Sequence, residues 1–132
     1  MSVVADTNIF LAVALDEPEK TNIVRATVGA EIAAPEILPY EIGNALTAMV
    51  KRRQIEARRA HDTYEVTQQI PVRLLAVDIG SALGIALRFD IYAYDAYFLD
   101  CARTLSCPLV TLDQRMLQVA SEMGIKTLEL AL

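Results

Sequence analysis

The sequence predicts an α/β fold: a five-stranded parallel sheet flanked by helices, in one domain over residues 1–132. Two observations predict it. Five short segments rich in Val, Ile, Leu or Ala alternate with amphipathic helical stretches. Those segments are apolar nearly throughout, as strands buried on both faces are, and this favours a parallel sheet. A chain of 132 residues suits one compact domain that buries roughly two-thirds of its unfolded surface. No repeat, low-complexity tract or Gly/Ser/Pro linker divides it.

Taken in order, the first strand is expected at 2–5, where Val3-Val4-Ala5 runs into Asp6-Thr7-Asn8. Helices at 8–15 and 19–28 follow, then a strand at 31–34 and a helix at 40–53. In that helix Pro39-Tyr40 leads to Glu41, with Asn44 one turn on. A further helix at 57–69, separated by Gln54-Ile55-Glu56, makes a helical hairpin that projects between strands 2 and 3. The third strand is expected at 73–77 and the next helix at 79–88, where Gly80 and Gly84 read as marks of tight packing. Tyr92-Ala93-Tyr94 opens a helix at 95–105, and Leu109-Val110-Thr111-Leu112 forms a strand at 109–112 that delivers Asp113 to a helix at 114–123. A fifth strand is expected at 126–130.

Hydrophobic residues make up 54% of the chain, above the usual range of about 45–50%. Charges are nevertheless scattered throughout, and no apolar run approaches the roughly 20 residues that cross a bilayer. With no secretory signal pattern after Met1-Ser2, the expectation is a cytoplasmic protein without a membrane segment. Cys101 and Cys107 read as free thiols, and their spacing matches no zinc pattern. His61 is the single histidine, so neither a Cys/His zinc site nor a histidine-based triad can be built. The net charge of −5 argues at first against a polyanionic partner. Five of the twelve basic residues, however, fall in one window: Lys51, Arg52, Arg53, Arg58 and Arg59, at the tip of the hairpin. That window reads equally well as a solvated tip or as a contact to RNA backbone or an acidic partner.

Asp6, Glu41, Asp95 and Asp113 are the candidate site. Asp6 and Asp113 follow strands, at the carboxyl ends where ligands bind in open parallel sheets. Glu41 and Asp95 are placed in first helical turns, where amides and the helix dipole favour negative charge by a few tenths to about 1 kcal/mol. Singly, Asp6, Asp95 and Asp113 also read as helix N-caps. Jointly, carboxylates at one sheet edge repel and raise one another's pKa unless a cation compensates. Asp16, Glu17, Glu19, Glu56, Asp62, Glu65, Glu122 and Glu129 read instead as solvated charges, and Asp100 points to a different face from Asp95. An all-oxygen donor set suits Mg²⁺ or Mn²⁺, which keeps several waters and uses phosphate oxygens for the rest. Phosphodiester hydrolysis needs no histidine at such a site.

With these residues in order, the chain resembles the PIN-domain family and, within it, the VapC-type ribonuclease toxins of toxin-antitoxin pairs. The matching pieces are Asp6-Thr7-Asn8, Glu41 with Asn44, Tyr94-Asp95-Ala96-Tyr97 and Thr111-Leu112-Asp113. The resemblance implies sheet order 3-2-1-4-5 and a site in which Asp6, Glu41, Asp95 and Asp113 form the acidic metal centre. Asp6, Asp95 and Asp113 would hold Mg²⁺ or Mn²⁺, with Glu41 a further ligand or an orienter of the attacking water. Thr7, Asn8, Asn44 and Thr111 would be supporting polar groups, three of which also suit helix starts. It further implies RNA as substrate, a cognate antitoxin protein as partner and a homodimer. Arg115 then becomes a candidate phosphate contact, and Tyr92, Tyr94 and Tyr97 candidate base-stacking groups, though surface Arg and rim packing are the ordinary roles. A processing or DNA-flap nuclease with the same site, and a non-catalytic PIN-like binding module, are the alternatives. A phosphatase with Asp6 as nucleophile fits less well, since Asn8 stands where a second Asp is wanted.

Overall fold

The computed structural model describes residues 1–130. The elements run β1 (Ser2–Ala5), α1 (Thr7–Ala14), α2 (Lys20–Thr27), β2 (Glu31–Pro35), α3 (Leu38–Lys51) and α4 (Ala57–Gln68). They continue with β3 (Arg73–Leu75), α5 (Ile79–Phe89), α6 (Ala93–Leu105), β4 (Leu109–Val110) and α7 (Gln114–Glu122). The sheet is wholly parallel in the order β3-β2-β1-β4.

β1 lies at the centre because its apolar run can be covered on both faces: Val3 and Val4 are fully buried. Val4 pairs with Ala33 on one side and with Leu109 on the other. β3 forms the opposite edge, where Arg73 pairs with Glu31 across the strands at 3.7 Å. Charge at such an edge discourages further strand addition.

The α/β class and strand order follow expectation, with one difference. Residues 126–130 do not make a fifth strand. Only a single parallel bridge forms, Leu109 to Thr127; the Leu109 N–H donates to the Lys126 carbonyl and the Leu128 N–H to the Leu109 carbonyl, both at 2.9 Å. The reason is the brevity of β4. After Val110 the chain turns its next hydroxyl, on Thr111, towards Asp6, so there is no longer edge for 126–130 to follow.

The helical hairpin between β2 and β3 is α3 and α4, with the basic window exposed around the turn. α4 also packs on α1, where the Arg59 guanidinium donates to the Leu15 carbonyl at 3.2 Å. Asp90 and Ser106, at φ 55° and 52°, close α5 and α6 in the left-handed conformation. Gly80 and Gly84 are exposed, and no heavy atom lies within 4 Å of a Cβ built at Gly84. They do not mark tight packing. Cys101 and Cys107 are free thiols, and burial pushes the Cys101 thiol up to about 11. Among the described residues no helix is long and apolar enough to cross a membrane.

Candidate metal centre

Strand pairing brings Asp6 and Asp113 together. β1 and β4 are neighbours on the side of β1 away from β2, so the order reverses there and opens a crevice at their carboxyl ends. Asp6 follows β1 at once and is buried, 5% exposed. Its Oδ1 caps α1 by accepting from the Ile9 N–H at 3.2 Å, and its Oδ2 accepts from the Thr111 hydroxyl. The Thr111 Oγ1 in turn accepts from the Asp113 N–H at 3.0 Å. Asp113 caps α7: its Oδ1 accepts from the N–H groups of Arg115 at 2.8 Å and Met116 at 3.1 Å. A continuous hydrogen-bonded line therefore joins the two acids through Thr111.

α3 and α6 bring the other two. α3 begins at Leu38, because Pro39 is tolerated in a first turn whose N–H groups have no helical partner. Glu41 then lies inside the first turn, where its Oε1 accepts from the Thr7 hydroxyl at 3.0 Å. α6 begins at Ala93 after Tyr92, which makes no side-chain cap. Asp95 is therefore a first-turn residue and not the N-cap, so of the three possible caps only Asp6 and Asp113 are caps.

The acids feel one another. Burial pushes the Asp6 carboxyl up to about 6; the bonds from Thr111 and Ile9 oppose the rise, and the charges of Asp113 and Asp95 add to it. Burial also raises Glu41, helped by the charge of Asp95, and raises Asp95, helped by Asp113. Among the described residues no three acid, histidine or cysteine side chains close on one metal position. The four candidate acids offer oxygen donors alone. Such a donor set suits a cation that keeps much of its water, as Mg²⁺ does, better than a closed protein cage.

The supporting residues divide. Thr7 and Thr111 bond the acids, whereas Asn8 and Asn44 stand exposed at the surface. Arg115 is turned elsewhere, with Nη2 donating to the Phe89 carbonyl at 2.6 Å and Nη1 to the Gln118 Oε1 at 3.0 Å. It ties the start of α7 to the end of α5, two residues from Asp113. Tyr92 and Tyr94 are exposed, and Tyr94 meets Tyr97 edge-on with ring centres 5.9 Å apart. Asp78 only caps α5, and Asp100 is bound by Ser81 and Arg103, both at 2.7 Å. Sequence reasoning missed a cavity of about 340 Å³ that opens beside Asp113 and reaches Glu17 and Glu19. No local signal distinguished those two glutamates from solvated loop charges.

Comparison with known proteins places this architecture. The chain is 28% identical to the VapC ribonuclease Mb0985 of Mycobacterium bovis over 122 residues, which is 86% of this chain and 87% of that protein. The same figures hold for ribonuclease VapC9 of Mycobacterium tuberculosis. In fold it is similar to PAE2754 of Pyrobaculum aerophilum, with a TM-score of 0.71 at 21% identity over 96% of this chain and 92% of that one. VapBC2 of Rickettsia felis, bound to a DNA fragment from its promoter, gives 0.65 at 12% identity over 96% and 97% of the two chains. FitAcB of Neisseria gonorrhoeae gives 0.66 at 15% identity over 96% of each. The PIN domain matches residues 3–122, and the chain belongs to the PIN domain family.

Proposed function

We propose that this protein is a Mg²⁺- or Mn²⁺-dependent endoribonuclease, the toxin of a toxin-antitoxin pair. The observation that carries the reading is the electrostatically coupled group of Asp6, Glu41, Asp95 and Asp113 at the sheet's carboxyl edge. The ribonuclease names of the mycobacterial relatives support the chemistry, and the VapBC2 neighbour supports an antitoxin partner. A homodimer in the cytoplasm completes the reading.

Asp6, Asp95 and Asp113 would hold the cation. When bound, it lowers the pKa of a water and neutralises charge building on the phosphate. The rest falls to this chain. Asp6 and Asp113 cannot swing freely, because Thr111 and the N–H groups of α1 and α7 fix their oxygens. Glu41 has Oε1 engaged by Thr7, which leaves Oε2 to accept a proton from the attacking water. In the metal-free protein burial raises its pKa, against the bond from Thr7, and the charge of Asp95 adds to the rise. In-line attack then leaves a 5′-phosphate and a 3′-hydroxyl.

The test is RNA cleavage by wild type and Asp6→Asn in parallel, with Mn²⁺ added and the cut ends mapped. Cleavage is expected to fall at least about 100-fold in the variant; undiminished cleavage refutes the assignment. Growth arrest on expression, relieved by a neighbouring small gene product, is the expected sign of the toxin role. Activity without arrest points to RNA processing instead.

A further inference from the structure

The geometry points to a base-selective subsite for single-stranded RNA in the cavity beside Asp113, with the strand continuing along α1 towards Arg59. This deepens the ribonuclease reading and rests on it. The cavity, about 340 Å³, has Asp113 and Asn8 in its lining, so it adjoins the acidic centre. That volume lies within the range of small-ligand pockets, about 300–1,000 Å³, and admits one nucleobase. An RNA whose scissile phosphate rests at the acids brings an adjoining base to the opening.

The lining argues for a base rather than a phosphate. Leu11, Leu15, Met49 and Leu112 supply apolar walls and suit the flat face of a ring. Glu17 and Glu19 also line it, and two carboxylates repel a phosphate but accept from an amino group. Cytosine N4 and adenine N6 carry such donors where uracil carries the O4 acceptor, and guanine carries one at N2 where uracil has O2. The subsite therefore selects amino-bearing bases over uracil.

The same helix leads to the basic window that the acidic centre leaves unused. Arg59 is anchored on the carbonyl of Leu15, the C-cap residue of α1 and itself a wall of the cavity. From Thr7 to Leu15 a helix rises about 12 Å, a span of roughly two to three nucleotides at about 3.4 Å or more each. Arg59 and the exposed Arg58 beside it then meet backbone phosphates beyond the selected base. One strand thus crosses acids, cavity and basic tip in that order.

The experiment is fluorescence anisotropy with labelled penta-uridylate and with the same oligomer carrying one cytidine at each position in turn. Wild-type protein is used in millimolar Ca²⁺ without Mg²⁺ or Mn²⁺, with oligomer integrity checked by gel. At one position cytidine is expected to bind about tenfold tighter than uridine. The double variant Glu17→Gln/Glu19→Gln should erase or invert that ratio, since a glutamine amide can donate to the uracil O4. Arg59→Gln should weaken both oligomers alike and flatten the salt dependence. Equal affinity for both oligomers in wild type, no binding of either, or an unchanged ratio in a folded double variant overturns the subsite. Cleavage in Mn²⁺ is scored separately: a base preference without cleavage sinks the nuclease reading, and cleavage without a preference sinks the subsite alone.

Discussion

Asp6→Asn in metal-free protein separates a helix cap from an electrostatic centre, because the two roles differ in their pH dependence. As a cap, Asn replaces Asp at nearly no change, and stability should differ little at any pH. As a member of an acidic centre, Asp6 is ionised at a cost. Burial pushes its carboxyl up to about 6 in the folded protein, against 3.8 for an unperturbed aspartate. The folded state therefore keeps the proton to higher pH than the unfolded chain does. The contribution of Asp6 to stability is greatest below about pH 4, declines as pH rises to about 6, and stays low above it. The difference of roughly two pH units corresponds to about 3 kcal/mol. Asparagine has no proton to lose and escapes this penalty, while a poorer bond to Thr111 offsets about 1 kcal/mol. The net expectation is a gain of about 1–2 kcal/mol at pH 7.5, or roughly 3–8 °C in Tm, and no gain at pH 4. Urea and thermal unfolding in EDTA at the two pH values measure it. Equal effects at both would refute the reasoning and leave Asp6 a cap only. Mn²⁺ at 100 times its Kd should then stabilise wild type by about 2.7 kcal/mol at pH 7.5 and the variant hardly at all.

Two further outcomes follow from neighbouring residues. Asp113→Asn keeps an acceptor for the N–H groups of Arg115 and Met116, so it should unfold within about 0.5 kcal/mol of wild type yet lose cleavage about 100-fold. Asp113→Ala should lose about 1 kcal/mol of stability as well, and similar stability in the two variants would deny the cap. Arg115→Met removes the cation that holds the last carbonyl of α5. It should cost about 0.5–1 kcal/mol in unfolding and raise the Mn²⁺ needed for half-maximal cleavage about tenfold; an unchanged metal requirement would show that the tie between α5 and α7 does not hold the site.

The sheet's centre was legible because β1 and β2 are apolar on both faces, and the seven helices of the described residues were legible from their periodicity. What was hidden depends on contacts between distant segments. The segment 126–130 has the composition of a strand, but pairing needs a partner long enough to follow, and β4 ends at Val110. Asp95 looked like a cap because aspartate prefers caps; α6 starts instead at Ala93, with the exposed Tyr92 at the N-cap position, and this leaves Asp95 inside the first turn. Thr7 and Thr111 were placed as supporting groups, and their hydroxyls do meet Glu41 and Asp6. Glu17, Glu19 and Arg59 gave no hint of a shared surface, since nothing along the chain states that α4 lies on the end of α1.

The bond from Thr111 to Asp6 spans 105 residues. During synthesis at about 5–20 residues per second, Asp6 waits on the order of 5–20 seconds for Thr111 to be made. Through that interval the first acid exists without the strand that holds its partner. A nascent chain therefore has no assembled acidic group until Thr111 and Asp113 are made, and the order of residues along the gene delays the candidate centre until the fold is nearly whole.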